Sequence, residues 1–183
     1  MRRIITFCLL SLLCFSAMGQ KIRLDSVDKD GIRNIVSDAW KTGETYFSVG
    51  ANVKDGVASY LFIIEYKSKD RRAFENETCQ LAIRLNDESI ITSPLNSFQV
   101  THYKKSTGGH YHVMNIYLFT KEQMDAIMEQ SVKKIRVGNV NNDPDDFEYS
   151  ERQSEAFKKE LSKRLPLVDA ALSKGHTDIL EGF

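Results

Sequence analysis

The feature that most constrains the fold is a pair of β-prone runs joined by Asp55-Gly56. The first run spans residues 46–53, and the second, residues 57–66, has a continuous apolar centre. Asp-Gly is a strong hairpin signal because both residues tolerate the left-handed backbone of a two-residue turn. We therefore predict an antiparallel hairpin whose second strand is buried on both faces.

Further strands are predicted on both sides of this hairpin. Residues 78–85 alternate between apolar and polar side chains, as in a strand with one buried face. The other segments with β character are 22–27, 32–40, 89–92, 98–103, 110–119 and 132–137. Short turns separate most of these segments, which favours an antiparallel sandwich or barrel.

Two helices are predicted in the second half of the chain. Thr120 and Gln123 have the spacing of a capping box, and Ser150 and Gln153 repeat it. An apolar stripe at helical spacing follows each box, and Pro166 predicts a kink or break in the second helix. The stripes consist of Met124, Ile127 and Met128, and of Phe157, Leu161, Leu165, Val168 and Leu172. The predicted class is mainly β with α (α+β): an antiparallel β-sandwich or barrel-like core, a short helix before the last strand and a C-terminal amphipathic helix.

The N-terminus has the pattern of a secretory signal peptide. Arg2 and Arg3 precede an apolar run, and small residues at positions 17 and 19 predict cleavage before Gln20. The run is too short for a bilayer span, which takes about 20 apolar residues. A lipoprotein signal is the alternative, but bulky residues precede both Cys8 and Cys14, which disfavours lipidation.

Cleavage defines the expected domain organisation. Residues 1–19 would be removed, residues 20–175 would form one β-rich domain, and residues 176–183 would be a loose tail. No integral membrane segment would remain after cleavage. The segment removed carries two arginines and no acidic residue, so the remaining chain would be slightly acidic.

Composition excludes several classes of function. The chain has 25 basic and 25 acidic residues, so bulk charge does not attract it to nucleic acid. Cys79 is the one cysteine outside the predicted signal, so no internal disulfide is expected. Its alternation with Leu81 and Ile83 indicates a buried and inert thiol.

Three histidines flank one predicted hairpin turn and are candidate metal ligands. His110 and His112 share a face of their strand. His102 lies on the same face if the strand register places even-numbered residues opposite even-numbered residues, for example His102 opposite His112. Three imidazoles with an open fourth position would suit a zinc ion. A two-residue turn gives the other parity and separates His102. The sequence also does not decide which face of this strand is buried, because both faces are apolar. Met114, Ile116 and Leu118 lie on one face, and Tyr111, Val113, Tyr117 and Phe119 lie on the other.

Two acidic segments offer oxygen ligands that suit calcium. Asp28-x-Asp30-Gly31 looks like a fragment of a calcium loop, but it lacks the third ligand position and the closing glutamate. Residues 141–146 are rich in Asn and Asp. Each segment has a simpler interpretation, a turn for the first and a solvated loop before a helix for the second.

Trp40 is the candidate ligand-binding residue of a glycan-binding module. An exposed indole beside a tyrosine would stack on the apolar face of a sugar ring. The alternative is that Trp40, the one tryptophan of the chain, lies in the core. Asn76-Glu77-Thr78 also matches a glycosylation sequon, a motif that is common by chance.

Nucleophile motifs do not occur in the sequence. It contains no Gly-x-Ser-x-Gly elbow and no glycine-rich phosphate loop, so no catalytic residue is assigned. The sequence therefore favours a protein that does not catalyse, and no cofactor is predicted for it.

The layout resembles small uncharacterised secreted proteins of Bacteroidales-type Gram-negative bacteria. The residues that carry the resemblance lie in the segments 28–35, 81–85, 117–123 and 132–136, followed by the C-terminal helix. The family has no assigned activity, so the resemblance transfers no site residue. It implies a β-sandwich-like core with a helix before the last strand and another at the C-terminus, in the periplasm or at the cell surface.

These observations favour an exported, non-catalytic binding or structural module of the cell envelope. It would be periplasmic, secreted or bound at the cell surface, with a protein or glycan of the envelope as its partner. Two alternatives stay open: a metal-binding protein or metal-dependent hydrolase that uses His102, His110 and His112 with zinc or calcium, and a glycan-binding module that uses Trp40.

Overall fold

The computed structural model describes residues 21–68, 80–93, 102–105, 111–138 and 144–174. These residues form two antiparallel sheets and two helices, which confirms the predicted α+β class. The strands are β1 (Ile22–Val27), β2 (Arg33–Ser37), β3 (Trp40–Thr42), β4 (Thr45–Lys54), β5 (Val57–Ser68), β6 (Gln80–Leu85), β7 (Ile90–Thr92), β8 (His102–Lys105), β9 (Tyr111–Phe119), β10 (Val132–Gly138) and β11 (Asp145–Glu148). The helices are α1 (Lys121–Gln130) and α2 (Glu151–Ser173).

The strand order defines a large and a small sheet. The large sheet runs β1-β2-β4-β5-β9-β8, and β3 pairs with part of β4. The small sheet runs β11-β10-β6-β7. α1 connects the two sheets, because it follows β9 of the large sheet and precedes β10 of the small one.

The predicted hairpin is confirmed as β4 and β5, the centre of the large sheet. Lys54 is opposite Val57, and the pairing continues without a shift to Tyr46 and Glu65. Asp55 and Gly56 have φ angles of 51° and 79°, the left-handed values of the two-residue turn.

Aromatic side chains fill the core between the large sheet and α2. The Phe157 ring of α2 lies 5.0 Å from that of Phe47 and 5.6 Å from the indole of Trp40, centroid to centroid. Both predicted capping boxes are confirmed, and the backbone N–H groups of Thr120 and Ser150 donate to the side chains three residues on. α2 continues through Pro166, so the predicted break does not occur.

Two predicted elements differ from the observed ones. The single strand predicted over residues 32–40 is two strands, β2 and β3, separated at Asp38 and Ala39. Part of the predicted acidic loop is a strand, β11, which pairs with β10. Asp146 of β11 accepts two hydrogen bonds from Arg136 across the pair, and these charge pairs stabilise an edge strand that carries little apolar surface.

No helix in the described part of the chain is long and apolar enough to cross a membrane. Residues 1–20, which contain the predicted signal peptide, lie outside the described ranges, as does Cys79.

Candidate functional site

The large sheet carries many apolar side chains on its outer face as well as on the face that packs into the core. Phe47, Phe62 and Ile64 point inward and are buried. Their chain neighbours alternate to the outer face. An antiparallel sheet with one solvated face usually carries polar side chains there. Here the outer positions include Leu24, Val36, Leu61, Ile63, Met114, Ile116 and Leu118.

The strand register brings these outer side chains into rows across the sheet. Side chains directly opposite each other on adjacent strands are in contact distance, so the apolar members of the rows form a shared surface that Ser48 and Glu65 interrupt. The rows are Leu24–Val36–Gly50–Leu61–Leu118, Ser48–Ile63–Ile116 and Tyr46–Glu65–Met114.

Part of the outer face is concave, and we call this part the sheet trough. It holds an open cavity of about 360 Å³. Its apolar walls come from β1, β2, β4, β5 and β9, and Tyr46 and Leu24 are each 44% exposed at its rim. The lining includes Leu24, Val36, Tyr46, Ile63 and Met114, with Arg23 and Glu65 as the charged members.

Gly50 allows the sheet to bend at one side of the trough. A Cβ atom at this position would lie 2.1 Å from the carbonyl oxygen of Ile35 on the neighbouring strand. No side chain fits such an approach, and a glycine inside a strand marks a tight bend of this kind. β2 therefore crosses β4 closely here, beside Val36 in the trough wall.

Two charged residues of opposite sign, Arg23 and Glu65, line the trough. Within the described ranges Arg23 makes no ion pair, whereas the nearby Asp25 and Asp38 are bound to Arg33 and Arg164. Glu65 is opposite Tyr46, and the ammonium group of Lys41 lies 5.4 Å from the centroid of the Tyr46 ring. The charged residues that line the trough are therefore Arg23 and Glu65, and neither forms an ion pair with a described residue.

The three candidate histidines are only partly described. His110 lies outside the described residues, and for His102 and His112 the structure describes the backbone alone. His102 is opposite Met114 and His112 is opposite Lys104, so the register pairs residues of equal parity. The inner face of β9 is the one with Val113, Tyr117 and Phe119, and not the one with Met114.

Trp40 is part of the core, which corrects the expectation of an exposed indole. The residue is 5% exposed, and its ring packs against those of Phe47 and Phe157. The guanidinium of Arg164 covers the remaining side of the ring. A sugar has no access to this indole, because α2 lies where the sugar would stack.

The acidic segments use their oxygen atoms inside the fold. Asp28 Oδ1 accepts hydrogen bonds from the backbone N–H groups of Asp30 and Ile32, and these bonds hold the pKa of Asp28 below its usual value. Asp146 is bound by Arg136 and Lys134. Residues 141–143 of the second segment are outside the described part. No group of three or more His, Cys, Asp or Glu side chains that could hold a metal ion occurs among the described residues.

A cluster of polar side chains joins β5 to the two helices. The Tyr60 hydroxyl donates to Asp169 Oδ1 at 2.6 Å, and Lys121 pairs with Asp125 and Asp169. Burial, followed by the bond to Asp169, raises the pKa of Tyr60 above its usual value.

Among the described residues, the resolved pKa shifts all point away from neutrality. The carboxyl groups that shift have lowered pKa values, and the shifted Tyr, Lys and Arg groups have raised ones. A general acid or base works best with a pKa near the working pH. Shifts in the observed direction are typical of ion pairs and hydrogen bonds that stabilise a fold.

Comparison with protein-family models, curated proteins and solved structures finds no match for this chain. The geometry of the site therefore carries the functional argument by itself.

The residues of the trough were not assigned a role by the sequence patterns. One sequence feature could have indicated an apolar outer face. Residues 57–66 and both sides of β9 carry more apolar side chains than one buried face requires. From these apolar residues we predicted that β5 is buried on both faces. In the structure its inner face packs into the core, whereas Ile63 on its outer face is only partly buried.

Proposed function

We propose that the protein is an exported binding module of the cell envelope, and that the sheet trough holds an apolar group of its ligand or partner. The observation that carries the proposal is the apolar outer face of the large sheet. Contiguous exposed apolar surface is unfavourable in water, and on soluble proteins it marks a binding site.

The size and lining of the trough support this proposal. Ligand sites have volumes of about 300–1,000 Å³ and mostly apolar walls with a few polar groups. The trough has about 360 Å³, walls such as Val36, Ile63 and Met114, and charges at Arg23 and Glu65. The export of the protein is supported by the signal pattern of residues 1–19 alone.

A neutral fluorescent probe, Nile red, tests the proposal without a known ligand. We expect saturable binding with increased fluorescence in the wild-type chain. Ile63→Gln and Met114→Gln, on two different strands of the trough, should each weaken binding about tenfold, which corresponds to about 1.4 kcal/mol. Glutamine avoids a new charge, and both positions are partly exposed, so the amide can stay hydrated.

Ile90→Gln is the matched control, because Ile90 is 57% exposed on β7 of the small sheet. This variant should bind Nile red like the wild type. Thermal unfolding by circular dichroism verifies that each variant is folded. The proposal fails if folded wild-type protein does not bind the probe, or if Ile90→Gln weakens binding as much as Ile63→Gln does.

A second candidate, metal binding, is favoured by the register of β8 and β9. The three-histidine hypothesis requires His102 and His112 to occupy register positions on the same face of the sheet, and the pairing of β8 with β9 meets this requirement. If zinc raises the melting temperature and His112→Ala removes the effect, the metal site is supported. An unchanged melting temperature with zinc contradicts it.

A further inference from the structure

We propose that a second cavity, on the outer face of the small sheet, binds a small tetrahedral oxyanion such as a phosphate group. This face lies opposite the buried side chains of Leu81 and Ile83. The cavity has a volume of about 100 Å³ and is lined by Ala82, Arg84, Ile90, Lys134 and Arg136. Because it lies on a different sheet from the trough, the inference goes beyond the proposed function and does not depend on it.

The first step is that the charges lining this cavity have one sign. Arg84, Lys134 and Arg136 are cations, and no described carboxylate lines the cavity. Arg84 of β6 is directly opposite Lys134 of β10, and Arg136 is the diagonal neighbour of Arg84. Like charges in opposite positions on adjacent strands destabilise a sheet. An anion bound between these side chains would offset that repulsion.

The second step is that the nearby carboxylates lie on one side of the cavity. Arg136 donates two hydrogen bonds to Asp146, and Lys134 pairs with Asp146 at 2.8 Å and with Glu148 at 3.1 Å. Both acidic residues belong to β11, which β10 separates from β6. They therefore compensate the two cations of β10 and not Arg84 of β6.

Arg84 has one distant ion pair among the described residues. Its Nη1 atom is 3.9 Å from Glu88 Oε2, which is too long for a hydrogen bond. Glu88 is itself held by Lys133, which does not line the cavity. The positive charge of Arg84 is therefore the least compensated of the three and is available for an anion.

The third step is the size and shape of the cavity. Ala82 is opposite Arg136, and its methyl group leaves space that a longer side chain would fill. Sites for drug-sized ligands have about 300–1,000 Å³, so this smaller cavity suits an ion or one charged group. Guanidinium and ammonium groups bind phosphate oxygens with short, charge-assisted hydrogen bonds. A tetrahedral ion directs oxygen atoms to several sides and can reach cations of both strands, whereas a carboxylate presents two oxygens in one plane.

Nuclear magnetic resonance of the arginine Nε–H groups tests the inference. Inorganic phosphate is added at neutral pH and constant ionic strength, because salt alone changes the screening of exposed charges. We expect the Arg84 signal to shift to saturation at millimolar phosphate. The signals of Arg33 and Arg164, which are held by carboxylates of the fold, should stay in place. Acetate at the same concentration should shift the Arg84 signal much less.

Ala82→Leu is the decisive variant, because it fills the cavity without changing any charge. It should weaken phosphate binding at least tenfold. Ala58→Leu is the matched control, since Ala58 is exposed on β5 of the large sheet, and it should bind phosphate like the wild type. Thermal unfolding by circular dichroism verifies that both variants are folded.

Arg84→Gln is a second variant, which leaves the cavity open and removes its least compensated charge. The backbone amide signal of Ala82 reports binding in this variant, and we expect about tenfold weaker binding, as for the loss of one charge-assisted hydrogen bond. Arg152→Gln is the control, because Arg152 is an exposed arginine of α2 that does not line the cavity.

Methyl phosphate distinguishes two sources of the bound group. If it binds as tightly as inorganic phosphate, the site accepts phosphate esters of larger molecules, and if only inorganic phosphate binds, the site is one for the free ion. The inference is wrong if phosphate leaves the Arg84 signal in place or if acetate shifts it equally. Equal phosphate affinity of Ala82→Leu and Ala58→Leu would also contradict it, because the attraction would then be diffuse and independent of the cavity.

Discussion

The guanidinium of Arg164 lies over the indole of Trp40, with its Cζ atom 5.1 Å from the ring centroid. Arg164 is 4% exposed and is held in place by Asp38, whose Oδ1 and Oδ2 atoms each accept a hydrogen bond of 3.1 Å. Glu160, one turn earlier in α2, accepts a further bond. This contact joins α2 to the bend between β2 and β3, because Asp38 lies in that bend.

Removing Asp38 is expected to destabilise the protein. In Asp38→Ala the buried guanidinium keeps Glu160 but loses its other carboxylate, and the cost should be about 2 kcal/mol. Urea unfolding monitored by circular dichroism measures this change. Asp30→Ala is the control, because Asp30 lies in an exposed turn, and it should stay within about 0.5 kcal/mol of the wild type. Equal stability of the two variants would show that the Arg164 contact contributes nothing.

Fluorescence quenching tests the burial of Trp40. The chain has one tryptophan, so its emission reports on this indole alone. We expect acrylamide to quench the native protein weakly and the urea-unfolded protein several times more strongly, because α2 and Phe47 exclude the quencher. Strong quenching in the native state would restore the exposed indole that a glycan-binding module requires.

The ion pairs between β10 and β11 predict a dependence of stability on pH. Hydrogen bonds from Arg136 are the main cause that lowers the pKa of Asp146 from its usual 3.8 to about 2. The folded-state pKa lies below the unfolded one, so this stabilisation is complete above pH 3.8 and is lost as the pH falls through about 2.

The variant Asp146→Asn isolates this contribution. At neutral pH it should be less stable than the wild type by about 1 kcal/mol, after allowance for solvent screening of a partly exposed group. The difference should shrink as the pH falls from 3.8 toward 2. A difference that stays constant over this range would mean that the charge of Asp146 does not stabilise β11.

The elements that the sequence predicted correctly depend on local chemistry. Asp55-Gly56 specifies its turn because of the backbone it tolerates, and Thr120 and Ser150 begin helices because their side chains complete capping boxes. Each signal lies within a few residues of the structure it predicts. At the division of residues 32–40 into β2 and β3, by contrast, Asp38 contacts Arg164 of α2, 126 residues away, and no local pattern signals such a contact.

The sheet trough illustrates the limit of a single sequence. Alternation shows which residues of β9 share a face, but it does not show which face meets the core when both are apolar. In the structure Val113, Tyr117 and Phe119 belong to one core cluster with side chains of α2 and the small sheet, whereas Met114 lies outside that cluster. The trough follows from that choice, since its walls are the apolar side chains left on the other face.

The methionine methyl groups offer the most direct test of the trough, by nuclear magnetic resonance on protein with isotope-labelled methionine. Met114 lines the trough, whereas Met124 is completely buried in the core, so one spectrum contains both the reporter and its control. Met114→Leu assigns the reporter signal with little change in volume. Titration with octanol should shift the Met114 methyl signal to saturation and leave that of Met124 in place. A Met114 signal that does not move while octanol binds, or an equal shift of both signals, would contradict the proposed binding face.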